Sequence, residues 1–131
     1  MFRFPKTRLA PLVALTLAVL AAGSATLAAE TTSKFQGPKA NMGTATFVVE
    51  GGKRMLMVSD DFVVPDTPDP HWQLVDSKGT TYLVQRLPIK GDKVNRKIET
   101  PDYVKDVAKV QIWCAFAEVV LGEASFAKPV K

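Results

Sequence analysis

Alternation with a period of two dominates this chain from residue 44 onward. Ala45, Phe47 and Val49 interleave with Thr44, Thr46 and Val48, the spacing of a strand with one face on a core. Gly51-Gly52 follows and supplies the positive-φ residues of a tight hairpin, so Arg54–Ser59 is the expected return strand. His71–Asp76 puts Trp72 and Leu74 on one face. Ser77-Lys78-Gly79 then reads as a turn, and Thr80–Leu87 is rich in β-forming residues. Lys109–Phe116 is the most strand-like segment, and Val119–Phe126 supplies the last expected strand. Pro65, Pro68, Pro70, Pro88 and Pro101 punctuate the connections. Only Pro101–Val107 offers a helical turn, with proline at its first position. Residues 30–34 and 128–131 read as loose ends. The pattern predicts an all-β fold, a single small β-sandwich of about seven to eight mostly antiparallel strands.

The pattern before residue 30 is different. Arg3, Lys6 and Arg8 precede an apolar run, Leu9–Ala22, and small residues Gly23–Ala29 lead to Glu30. Positive charge, apolar stretch and small residues in that order predict a secretory signal over residues 1–29, cleaved after Ala28 or Ala29. The run is alanine-rich, contains Pro11 and is short for a membrane span, which needs about 20 strongly apolar residues. The expected mature domain is residues 30–131, periplasmic or secreted, with no stable membrane insertion after cleavage.

Cleavage changes the charge argument. The full chain has 17 basic and 13 acidic side chains, a net of +4. Three of the basic ones fall in the leader, leaving 14 against 13 and a net of +1. Nucleic-acid binding needs a basic patch. The densest basic stretch, Lys90, Lys93, Arg96 and Lys97, is diluted by Asp92 and Glu99 and reads as a solvated loop. No nucleic-acid partner is expected.

Cys114 is the only cysteine, so it has no internal disulfide partner. Strand parity groups it with Val110, Ile112 and Phe116, opposite Lys109, Gln111, Trp113 and Ala115. The first set is wholly apolar and predicts a thiol that points into the core. Three roles stay open on this reading: an inert buried thiol, a ligand or redox group, and a tether to another chain.

Other chemistry finds few residues to use. A type-1 copper site wants two imidazoles with the thiolate, and this chain has one histidine, His71, which parity turns outward as a solvated strand residue. Structural zinc wants four Cys or His ligands where two exist. Met42, Met55 and Met57 read as core or edge fillers. Asp60, Asp61, Asp66 and Asp69 make Ser59–Pro70 acidic, but their spacing matches no calcium loop and the prolines explain the segment. No nucleophile–base pair is visible, so turnover catalysis is not expected.

Three blocks nevertheless carry a resemblance. Asp61-Phe62 ends one strand region, Pro68-Asp69 leads into the next, and Ile112-Trp113-Cys114 is followed by Gly122 and Ala124. In these blocks the chain resembles the DM13 domain family over about Phe35–Phe126, and Ile-Trp-Cys is the specific part. The resemblance implies a small extracytoplasmic β-rich domain in electron transfer or redox chemistry. Its cysteine, here Cys114 with Trp113 as neighbour, would bind or exchange electrons with a cofactor, beside a membrane or envelope redox partner. The identity of that cofactor does not follow from the resemblance. Two positions depart from the pattern. Lys39-Ala40-Asn41-Met42 precedes Gly43 where family members carry a histidine, and Ala117 replaces an aromatic three residues after the cysteine. The alternative from another class is a non-catalytic binding module of the envelope, with Cys114 as a core residue.

Overall fold

A computed structural model describes residues 29–91 and 93–131. The expected signal segment lies outside the described residues except for Ala29, and so does Asp92. Eight strands follow in order: β1 (Glu30–Thr31), β2 (Ala45–Glu50), β3 (Lys53–Val58), β4 (Pro70–Val75), β5 (Thr81–Arg86), β6 (Lys97–Glu99), β7 (Val107–Cys114) and β8 (Val119–Val130). They form two four-stranded sheets, β1-β2-β3-β6 and β5-β4-β7-β8, and every pairing is antiparallel. The all-β, sandwich-like architecture read from the alternation is the one observed. Among the described residues no helix is long and apolar enough to cross a membrane.

The alternation does the work it implies. Ala45 and Phe47 of β2, Leu56 and Val58 of β3, Trp72 and Leu74 of β4, and Val110 and Ile112 of β7 are buried and belong to one core. Fully burying a side chain of this size contributes about 1.5–3 kcal/mol. The Trp72 indole N–H keeps a partner inside, the Asn95 carbonyl at 2.8 Å. Gly51 and Gly52 close the β2–β3 hairpin at φ 55° and 78°, a left-handed pair that glycine adopts without Cβ strain.

Several boundaries differ from the sequence reading. β7 ends at Cys114 rather than Phe116, and Ala115–Glu118 turn back to β8. Phe116 therefore leaves the inner face and stands 77% exposed. The expected loose ends are held. Glu30 and Thr31 pair with Phe47 and Thr46, and Val130 pairs with Val107 and is buried. No helix forms at Pro101–Val107. The Val104 N–H closes a single turn on the Pro101 carbonyl at 3.0 Å before β7 begins at Val107. The basic stretch contributes a short strand, because Ile98 fits the core opposite Leu56.

Antiparallel order sorts the connections. The links 32–44, 59–69, 87–96 and 115–118 gather at one end of the two sheets, and 51–52, 76–80 and 100–106 at the other. Cys114 is the last strand residue at the first end.

Candidate functional site

Cys114 sits between two strand ends, in register with Pro70 of β4 and Val119 of β8. It is 1% exposed and part of the core cluster, as strand parity predicts. Its surroundings are not purely apolar. The turn that follows β7 folds the Ala117 N–H onto Sγ at 3.4 Å. Glu118 closes the same turn with φ 55°, its N–H donating to the Cys114 carbonyl at 2.7 Å. On the other side the Ala115 N–H donates to the Asp69 carbonyl at 2.9 Å, which fastens the 59–69 link to the start of the turn.

These donors act on the acidity of the thiol. The Ala117 amide favours the thiolate most. Desolvation opposes it, and the amides of Phe116 and Asp69 and the Thr67 hydroxyl add to the first effect. The balance holds the Cys114 thiol below its ordinary value of 9.0. Thr67 Oγ1 is buried and makes no hydrogen bond of ordinary geometry. Among the described residues the one backbone N–H at hydrogen-bond distance from the sulfur is that of Ala117.

The motif residues divide into two groups around this centre. Pro68 and Asp69 are brought to it, and the link is pinned from outside by Arg86. Arg86 Nε donates to Asp69 Oδ1 at 2.6 Å, and a second guanidinium nitrogen to the Pro68 carbonyl at 3.4 Å. Ile112, Gly122 and Ala124 shape the strand pair that carries the cysteine. Ile112 is fully buried opposite Gly122, and Ala124 is buried opposite Val110. A Cβ on Gly122 would run into the carbonyl and Cβ of Ala40, so glycine there admits the crossing segment that lies along β8.

Asp61 and Phe62 do a different job. Asp61 accepts the Ser59 hydroxyl at 2.5 Å, while Ser59 Oγ accepts the Thr44 N–H at 2.9 Å. Phe62 is buried with its ring 5.3 Å from that of Phe35, and Gly43 passes its Cα at φ 87°. The Asp-Phe pair thus locks the corner where the 59–69 link meets the 32–44 link.

Trp113 points to the opposite side of β7 from the thiol, across from His71. His71 is turned outward, but its side chain is only 15% exposed, and Nδ1 lies 3.1 Å from the Asp69 carbonyl. It is a covered residue rather than the solvated one expected. Farther along the same face, Gln73 Nε2 donates to Gln111 Oε1 at 2.7 Å and Gln111 Nε2 to Glu123 Oε2 at 2.9 Å. This polar ladder across β4, β7 and β8 satisfies Gln73, which is 7% exposed.

Among the described residues no three His, Cys, Asp or Glu side chains converge as a metal cage. Met55 and Met57 lie on β3 in the other sheet, and Met42 is 48% exposed on a link. The groups around Sγ are donors, so a metal or haem held by several side chains of this chain does not fit the site. The influence of Thr67, Phe116 and Ala117 on the thiol escaped the sequence reading. Two of them act through backbone amides, which every residue but proline possesses, so no residue type marks them. No family model, curated protein or solved structure matches this chain.

Proposed function

We propose that this chain is an exported, DM13-like domain whose Cys114 takes part in redox or electron-transfer chemistry in the cell envelope. The observation that carries the reading is the Ala117 N–H on Sγ at 3.4 Å, within a set of donors that favours the thiolate. The thiolate is the nucleophilic, ligating and oxidisable form of cysteine. Export-type residues at the start of the chain and the Ile112-Trp113-Cys114 block support the same reading.

The donor set narrows the chemistry. Without a second soft ligand, Cys114 acts as a single thiolate, alone or toward a group that an envelope partner brings. Toward a partner disulfide the step balances simply. The Cys114 sulfur bonds to one partner sulfur, the partner S–S bond breaks, and the other sulfur leaves as a thiolate. A second thiol reverses the exchange and returns Cys114 reduced.

The test is protein purified from its native envelope beside Cys114→Ser, read by ultraviolet-visible spectrum, metal analysis and intact mass. The expected result is a band, a metal or a covalent sulfur adduct that the serine variant lacks. A colourless, unmodified, metal-free protein, with a serine variant of equal activity in the host, sinks the redox reading.

A second reading has its own observation. Met42, Val63, Ile89, Phe116 and Val119 are exposed apolar residues on the links, or the strand start, at the Cys114 end. A non-catalytic binding module would use that end against an envelope protein and keep Cys114 as core. It predicts that Phe116→Ser abolishes association while Cys114→Ser leaves it intact.

A further inference from the structure

We propose that the Ala115–Glu118 turn is a gate over Cys114, opening locally while the two sheets stay folded. The proposal deepens the thiol reading above and rests on it for its purpose. At 1% exposure the sulfur meets no reagent or partner until some cover moves. The 115–118 turn reaches Sγ directly and the 59–69 link is joined to that turn through the Asp69 carbonyl, and the two are held very differently.

The 59–69 side is fastened into the body. Phe62 and Pro65 are buried. The Arg96 guanidinium donates to the Ser59 and Phe62 carbonyls at 3.2 and 3.3 Å, and Arg86 holds Asp69 at 2.6 Å. Moving this link uncovers core and breaks charged hydrogen bonds.

The turn has few such ties. Phe116, Ala117, Glu118 and Val119 are all exposed, so opening exposes little new apolar surface. It is tied by the Ala115 N–H on the Asp69 carbonyl at 2.9 Å, the Glu118 N–H on the Cys114 carbonyl at 2.7 Å and the Ala117 N–H on Sγ. All three amides reach water once the turn opens. Glu118 also holds a left-handed φ of 55° without being glycine, a strain that opening relieves. Segments with little burial and water-accessible hydrogen bonds are the ones that open below the global unfolding transition.

The experiment is alkylation of the purified protein by iodoacetamide, in which sulfur bonds to the methylene carbon and iodide leaves, followed by mass. Rates are taken in native buffer and in denaturant below the unfolding midpoint, for wild type, Glu118→Gly and Ala117→Pro. A gate gives a wild-type rate nearly flat in dilute denaturant. Glu118→Gly, relieved of strain when closed, labels roughly threefold more slowly. Ala117→Pro, which deletes the donor to Sγ, labels faster. Circular dichroism melting shows whether each variant keeps its fold, and the glycine variant decides the matter if the proline one does not. Labelling that rises with denaturant as steeply as global unfolding overturns the gate, and so does a folded Glu118→Gly protein that labels at the wild-type rate. Failure of the redox reading appears elsewhere, in the spectrum, metal content and sulfur adduct, and leaves this comparison intact.

Discussion

The Ala117 amide donates to the Cys114 sulfur at 3.4 Å, three residues along the chain and across a turn whose own side chains face solvent. The acidity of a core thiol is therefore set by backbone from a segment that contributes nothing to the core. The folded pKa is depressed below 9.0, so the ionised thiol adds stability above pH 9 that is lost as pH falls through the lowered value. Thiolate absorbance near 240 nm should titrate with a midpoint below 9.0 in the native protein and move up in denaturant. A native midpoint at or above the denatured one contradicts the donor arrangement.

The two members of the Asp-Phe motif should separate cleanly. Phe62→Ala removes a buried ring packed on Phe35 and should cost about 3–5 kcal/mol. Asp61→Ala removes one exposed acceptor of the Ser59 hydroxyl and should cost about 1 kcal/mol or less. Urea unfolding of both variants checks the ranking, and equal losses would mean that the corner is held by the carboxylate after all.

Gly122→Ala places a methyl group against the Ala40 backbone, where the neighbour is main chain and cannot swing aside. A loss of about 1–3 kcal/mol is expected, with faster hydrogen exchange along residues 36–40. Unchanged stability would mean that the crossing segment is free to lift away from β8.

At the opposite end of the sandwich two carboxylates should govern the acid limb. Asp106 is held below 3.8 by the Ser77 hydroxyl and the Ser77 amide. At Asp76 desolvation raises the value, but the Thr80 amide, the Tyr82 hydroxyl and the Lys78 amide outweigh it and lower it below 3.8. Both shifts give stability present above pH 3.8 and lost as pH falls through the lowered values. Thermal melting from pH 6 to pH 2 should show a shallower decline in Asp106→Asn than in wild type, with the gap closing at the acid extreme. Parallel curves would mean that the Ser77 contacts carry no pH-dependent stability.

On the outer face of the β4–β7–β8 sheet, Gln111 accepts from Gln73 and donates to Glu123. Gln111→Leu strands the amide of Gln73, which is 7% exposed, and should cost about 1–3 kcal/mol. Gln73→Leu with Gln111→Leu removes both ends of that bond and should recover part of the loss, as a double-mutant cycle in urea would read directly.

Much of this was legible in residue order, for a simple reason. A strand with one buried face must alternate, and Val110, Ile112 and Cys114 of β7 do so, whereas β4 buries Gln73 and Val75 beside Trp72 and Leu74. The side on which the thiol lies follows from that period alone. So does the hairpin at Gly51-Gly52, where two left-handed residues are needed. Parity fails at Phe116 because it assumes the strand continues. Ala115 instead gives its N–H to Asp69, from a link 46 residues earlier, and the chain turns there. β1 and β6 are too short to show a period, and Val130 becomes structural only because Val107 lies beside it. The site itself belongs to tertiary structure. Period two determined that Cys114 faces inward. Only the meeting of the 59–69 link with the 115–118 turn decided that it faces backbone amides there, because an N–H gains a direction, and with it an effect on the thiol, only once the chain has folded.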